Sequence, residues 1–136
     1  MPVDVLNPEG LFQPVNYWQC AVATGTRTLY MSGQANRGTD ALPVAAADDL
    51  AGQVEQAFVN VDTAVRGAGG TFDDIAKLTV YLVDWSLDKM PAVGAGLERA
   101  AARIGRDLRK PATFLGVATL FTPDLLVEVE AVAVLP

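Results

Sequence analysis

Apolar and polar positions along this chain repeat with two different periods. The stretch Leu125–Leu135 holds nine apolar residues and two carboxylates, Glu128 and Glu130. That pattern predicts an eleven-residue β-strand, in which side chains alternate faces, so the two carboxylates point the same way. Burying a bare carboxylate is costly, so this face must border water, a subunit seam or a reaction site. Shorter runs at Tyr17–Ala23, Thr28–Ser32, Ile75–Val83 and Ala112–Leu120 also read as strands. Thr24-Gly25-Thr26-Arg27 predicts a hairpin between the first two, and Thr122-Pro123-Asp124 turns the chain into the last. Asn7–Pro14 reads as a turn-rich ordered arm, and Ala35–Ala47 as a loop.

The second period is 3.6. Leu50, Val54, Ala57, Phe58, Val61, Val65 and Ala68 predict a helix from about Asp48 to Ala68. Asp48 is the expected N-cap and Gly69-Gly70 the stop, with Gln53, Gln56, Asn60 and Asp62 on wet sides. Met90, Val93, Leu97, Ala100 and Ile104 predict a second helix over about Lys89–Ile104. Pro91 suits its first turn, whereas Gly94 and Gly96 weaken its middle. The order β-β-α-β-α-β-β, with a hairpin at each end, predicts an α+β sheet with both helices on one face. The strands are apolar on both sides, so the other face lacks a cover and oligomerisation follows.

Length and composition narrow this picture. The 136 residues suit one domain spanning 1–136, and a chain 51% hydrophobic and 19% charged is not a disordered one. No apolar run approaches the ~20 residues of a membrane span, and Met-Pro-Val-Asp lacks the basic start of a signal peptide. The single cysteine, Cys20, excludes an internal disulfide framework and points to a reduced cytoplasmic setting. A net charge of −6 argues against nucleic-acid binding through a broad basic surface. Half of the ten basic residues nonetheless fall at Arg99, Arg103, Arg106, Arg109 and Lys110. They form either a solvated face paired with acids or a local anion site. The chain has no histidine, which removes Ser-His-Asp and Cys-His catalysis and histidine metal sites. Any acid or base must be Glu, Asp, Lys, Tyr, a terminus or a held water.

Several short segments stand in a telling order: Asn7-Pro8-Glu9-Gly10, Tyr17, Ser32-Gly33-Gln34, Gln53 with Asn60-Val61, Ala68-Gly69-Gly70, Asp74-Ile75, Thr79–Asp84, Pro111-Ala112 and Glu128–Ala133. Over nearly its whole length the chain thereby resembles the RidA family, also called YjgF/YER057c/UK114. The resemblance implies a chorismate-mutase-like fold and a homotrimer whose sheets face inward, with sites in the clefts between subunits. It also implies hydrolysis of reactive enamines or imines without cofactor or metal. Carried over residue by residue, it makes Glu128 the catalytic carboxylate and gives Tyr17, Ser32, Gly33, Thr113 and Leu115 substrate-binding positions.

One departure matters. Deaminating members carry Pro-Ala-Arg-Ser-Cys or similar where this chain has Pro111-Ala112-Thr113-Phe114-Leu115. The arginine would grip a substrate carboxylate bidentately, and stranding one partner of such a pair costs roughly 3–5 kcal/mol. A 2-imino acid such as 2-aminoacrylate is therefore a poor expected substrate. Thr113 can still offer one hydrogen bond to a neutral ligand, and the Ser32-Gly33 backbone could hold an oxyanion. The alternative is a non-catalytic trimer that binds a small molecule. Ribonuclease activity, claimed for some relatives, conflicts with the acidic charge and the missing histidine.

Overall fold

A computed structural model describes residues 2–136; Met1, where the expected 1–136 unit begins, lies outside the described residues. The strands are β1 Val3–Leu6, β2 Cys20–Ala23, β3 Arg27–Tyr30, β4 Ile75–Val83, β5 Ala112–Val117 and β6 Val127–Leu135. Helices α1 Leu50–Gly67 and α2 Met90–Ile104 lie between β3 and β4 and between β4 and β5. The architecture is the expected α+β arrangement of one sheet with two helices packed on it, preceded by a first strand that the sequence pattern missed. A turn-rich arm follows that strand directly, so its four residues are too few to show a period.

Pairing departs from the expected hairpins. The main sheet runs β3-β6-β4-β5, while β1 and β2 form a separate ladder. β2 pairs with β1, and β3 pairs with β6, rather than β2 with β3. β6 does not fold back on β5; it inserts between β3 and β4, antiparallel to both. β5 lies parallel to β4, with α2 as the crossover. Turn residues dictate only that the chain reverses. The strand with apolar side chains on both faces takes a central place because it has most to bury.

The core lies between sheet and helices. Val127, Val129, Ala131, Ala133 and Leu135 of β6 join Leu78, Val80 and Leu82 of β4 there. Against them pack Val54, Phe58, Val61 and Val65 of α1 and Val93 and Ala100 of α2. Asp49 rather than Asp48 caps α1, its side chain accepting from the Gly52 N–H at 2.9 Å.

The polar side of α1 is not wet. Gln53 is fully buried, donating to the carbonyls of Ala46, Ala47 and Asp124 and accepting from the Leu126 N–H at 2.9 Å. Asn60 donates to the carbonyls of Ala35 and Arg37, both at 3.0 Å. The loop of residues 35–47 covers these amides, and among the described residues each buried side-chain polar atom keeps a partner. Arg37 ties the same loop to the turn before β6 through Asp124, at 2.8 and 3.1 Å, and Thr122, at 2.9 Å.

Two expectations test this account. Hydrogen bonding from Arg37, then from the Thr122 hydroxyl, lowers the Asp124 carboxyl from 3.8 to about 2. A carboxyl depressed in the folded state stabilises it above the unfolded value, and the contribution is lost as pH falls through the folded value. Asp124→Asn should melt below the wild type at neutral pH, and calorimetry should show the gap closing from about pH 5 toward about pH 2. The second concerns the α2 glycines. A Cβ on Gly96 would lie 2.5 Å from the Ala51 carbonyl oxygen and 2.7 Å from Val54 Cβ, whereas one on Gly94 would meet nothing within 4 Å. Gly94→Ala should therefore stabilise the protein by about 0.5–1 kcal/mol in urea titrations. Gly96→Ala should cost about 1–3 kcal/mol despite the same gain in helix propensity, because it pushes the helices apart.

Candidate functional site

The sheet face away from the helices carries most of the polar chemistry. Residues paired in register point to the same side. Two rows therefore cross this face: Glu130–Thr79–Thr113 and Glu128–Tyr81–Leu115. The two carboxylates do share a face, as the alternation of β6 predicts.

Glu128 owes its seat to Gly33. A Cβ on Gly33 would fall 1.9 Å from Glu128 Oε1 and 2.8 Å from its Cγ, so the carboxylate occupies the space that only glycine leaves. The backbone there is bulged. Met31 N–H bonds the Ala131 carbonyl at 3.2 Å and Gln34 N–H the Val129 carbonyl at 2.7 Å, three residue steps against two. The Ser32 and Gly33 N–H groups inside the bulge find no acceptor among the described residues. The Ser32 carbonyl accepts from Gln34 Nε2 at 3.1 Å. A carboxylate without a protein hydrogen-bond donor thus lies beside two unengaged backbone donors.

Glu130 is engaged instead. It accepts the Tyr81 hydroxyl proton in a short hydrogen bond. That bond, then burial, then the charges of Glu130 and Glu128 raise the Tyr81 phenol above its ordinary value. The division of labour between the two acids thus has a physical cause, which the sequence could not show because Tyr81 read only as a strand former. Lys77, also missed, donates to Thr113 Oγ1 at 2.8 Å across two neighbouring strands. Its recognisable signal was a charge at an open-face position of an otherwise apolar strand.

Tyr17 and Leu115 lie elsewhere. Both line a cavity of about 730 Å³ between β5 and α2, together with Phe12, Trp85, Leu97 and Phe114. The Trp18 N–H holds this part of the arm to the Lys110 carbonyl at 3.3 Å. Within one protomer the expected site residues therefore form three groups: Glu128 with Ser32 and Gly33, Thr113 with Lys77, and Tyr17 with Leu115. Leu115 borders two of them, since it also stands in the row of Tyr81 and Glu128.

The four arginines of the basic stretch form a paired, solvated face, and Lys110 does not share it. Arg99 and Arg103 reach Glu55 at 3.5 and 3.0 Å, Arg106 pairs with Asp73, and Arg109 with Asp107 at 2.7 Å. Lys110 is buried and bonds the Asp73 carbonyl at 3.1 Å; burial lowers its pKa. Among the described residues no three carboxylate or thiol groups gather as metal ligands. No helix among them is long and apolar enough to cross a membrane.

Comparison with known proteins matches residues 11–135 to the family described as Endoribonuclease L-PSP. Among solved structures, YyfB of the conserved Rid family from Yersinia pestis is similar, with 31% identity and a TM-score of 0.86 over 99% of this chain and all of the other. The YjgF gene product of E. coli has 26% identity and a TM-score of 0.66 over 96% of this chain and 92% of its own. Rv2704 from Mycobacterium tuberculosis, of the YjgF/YER057c/UK114 family, has 25% identity and a TM-score of 0.60 over 98% and 99%.

The seat of Glu128 is open to test. Gly33→Ala places a methyl group against the end of a flexible side chain, so the fold should tolerate it with little change in melting temperature. A crystal structure of the variant should show the Glu128 carboxylate turned out of its seat. An unmoved carboxylate would contradict the packing described.

Proposed function

The chain belongs to the Endoribonuclease L-PSP family, which includes the RidA/YjgF proteins, and from that premise we propose that it is a cofactor-free hydrolase of a small enamine, imine or related activated compound. The observation that carries this reading is the unpaired Glu128 carboxylate beside the free N–H groups of Ser32 and Gly33. Glu128 orients a water molecule and takes one of its protons as the oxygen attacks the C=N carbon. Glu128 returns that proton to the nitrogen, the C–N bond breaks, and ammonia leaves behind a carbonyl compound. The two backbone donors stabilise the negative charge that this oxygen gains when the new hydroxyl gives up its proton and the C–N bond breaks. Tyr81, held by Glu130, limits where the neighbouring acid and water can sit.

On this reading the protein works as a homotrimer in the reduced cytoplasm. The open sheet faces cover one another, and the clefts between subunits bring Tyr17 and Leu115 alongside the Glu128 group. The separation of these groups within one protomer supports that assembly, as does the exposure of Tyr30, which is 79% accessible on the open face. Thr113 in place of arginine argues against 2-aminoacrylate as the substrate. The same substitution favours the second reading, a trimer that binds a small ligand without turnover. Ribonuclease action has less support: a chain of net charge −6 without histidine offers phosphates little attraction and no imidazole for general acid–base work.

The decisive measurement is ammonia release from a panel of enamines and imines by the wild type and Glu128→Gln. Release should exceed background for at least one compound and fall about 10²-fold or more in the variant, the usual worth of a positioned acid–base group. Equal rates for the two proteins, or no release above background, would reject the hydrolase reading. Ligand-dependent thermal stabilisation without release would then favour the binding reading.

A further inference from the structure

The chain has three lysines, and each meets a different environment. Lys77 is exposed and donates to Thr113 Oγ1 at 2.8 Å; Lys89 is half-buried and pairs with Asp84 at 3.3 Å. Lys110 is only 6% accessible and forms no ion pair among the described residues. Its one hydrogen bond goes to the Asp73 carbonyl at 3.1 Å, a bond that an uncharged amine can make while keeping its lone pair free. Burial favours that uncharged form, against the opposing charges of Asp73, Asp107 and Asp74. Lys110 also lines the cavity of about 730 Å³ between β5 and α2, where Phe58, Trp85, Leu97, Leu108 and Phe114 supply apolar walls. Arg109, the other cation there, is engaged by Asp107 at 2.7 Å and lies over the Trp18 ring.

A desolvated amine at the wall of an apolar chamber is the arrangement that makes lysine a nucleophile toward carbonyl carbon. We propose that Lys110 is a reversible covalent binding site for apolar aldehydes, which the cavity holds as an imine. The amine lone pair attacks the carbonyl carbon, a C–N bond forms, and the π electrons move to oxygen. The resulting carbinolamine then loses water, which carries away the carbonyl oxygen and both amine hydrogens. No oxidant or reductant takes part, and the return of water reverses the step. A proton from solvent makes the imine an iminium, whose N–H can renew the bond to the Asp73 carbonyl. The charges of Asp73, Asp74 and Asp107, which already act on Lys110, favour that cation. The cavity falls within the roughly 300–1,000 Å³ of small-molecule sites, so an aldehyde with a chain of several carbons fits. Glu128, Ser32 and Gly33 do not line it, and the proposal therefore goes beyond the hydrolase reading and does not depend on it.

Reductive trapping reads the site directly. The wild type is incubated at about pH 7 with hexanal and sodium cyanoborohydride, whose hydride fixes an imine as a secondary amine, and the adducts are mapped by peptide mass spectrometry. Lys110 should be alkylated about tenfold faster than Lys77 or Lys89, although it is the most buried of the three. Urea-unfolded protein should lose that preference, and the polar aldehyde glycolaldehyde should show less of it. Gly94 borders the cavity, and a Cβ there would meet nothing within 4 Å, so Gly94→Leu extends a side chain into open space. That variant should cut Lys110 labelling about tenfold and spare Lys77 and Lys89. Lys110→Arg should remove the dominant adduct; the other comparisons stand even if arginine is not accommodated there. Lys110 labelling no faster than that of Lys77 in the folded wild type, or undiminished in Gly94→Leu, overturns the proposal. None of these readouts involves ammonia release, so failure here leaves the hydrolase reading untouched, and failure of that reading leaves this one.

Discussion

Strand β6 lies at the centre of the sheet with each of its faces in a different environment, and much of the molecule follows from that. Its odd-numbered residues from Val127 to Leu135 are packed against the helices, and its even-numbered residues stand on the open face. A slip of one residue would drive Glu128 and Glu130 into the core and expose five buried apolar side chains. The cost of burying two carboxylates makes the register of β6 against β3 and β4 all but unique. The position of Glu128 is therefore secured by the same burial that stabilises the fold.

A second layer of constraint is polar. The side-chain amides of Gln53 and Asn60 hold the loop of residues 35–47 and the start of β6 to α1, and that of Asn36 braces the loop internally through Ala45. Removing one of them would strand several buried backbone groups, at roughly 1–3 kcal/mol for each group left unpaired. Arg37 and Asp124 close the same segment at its outer edge. The segment leads directly from the Ser32-Gly33 bulge, so these bonds also anchor the backbone donors beside Glu128. Stability and site geometry here draw on one set of contacts.

The open face shows how two carboxylates of the same type, two residues apart, acquire different roles. Tyr81 engages Glu130, and Gly33 makes room for Glu128 without offering it a partner. Lys77, which might have neutralised either acid, is drawn to Thr113 instead. The face is thus divided into a carboxylate with backbone donors and a cation with a hydroxyl.

Much was legible in the chain alone because it is written in local periods. The alternation of β6, the 3.6-residue stripes of both helices and the ordered short motifs revealed the fold class and the shared face of Glu128 and Glu130. Strand partners were not legible: the turns at Thr24–Arg27 and Thr122–Asp124 reverse the chain without stating which strand it joins. Gln53 read as a wet residue and Gly96 as a flaw in its helix, since neither the covering loop nor the α1 contact is near in sequence. Tyr81 and Lys77 were passed over because their partners, Glu130 and Thr113, lie 49 and 36 residues away. Periodicity reports which side of an element is apolar. Only tertiary structure decides which polar groups meet, because hydrogen bonds act over about 3 Å and strands distant in sequence must first be brought side by side.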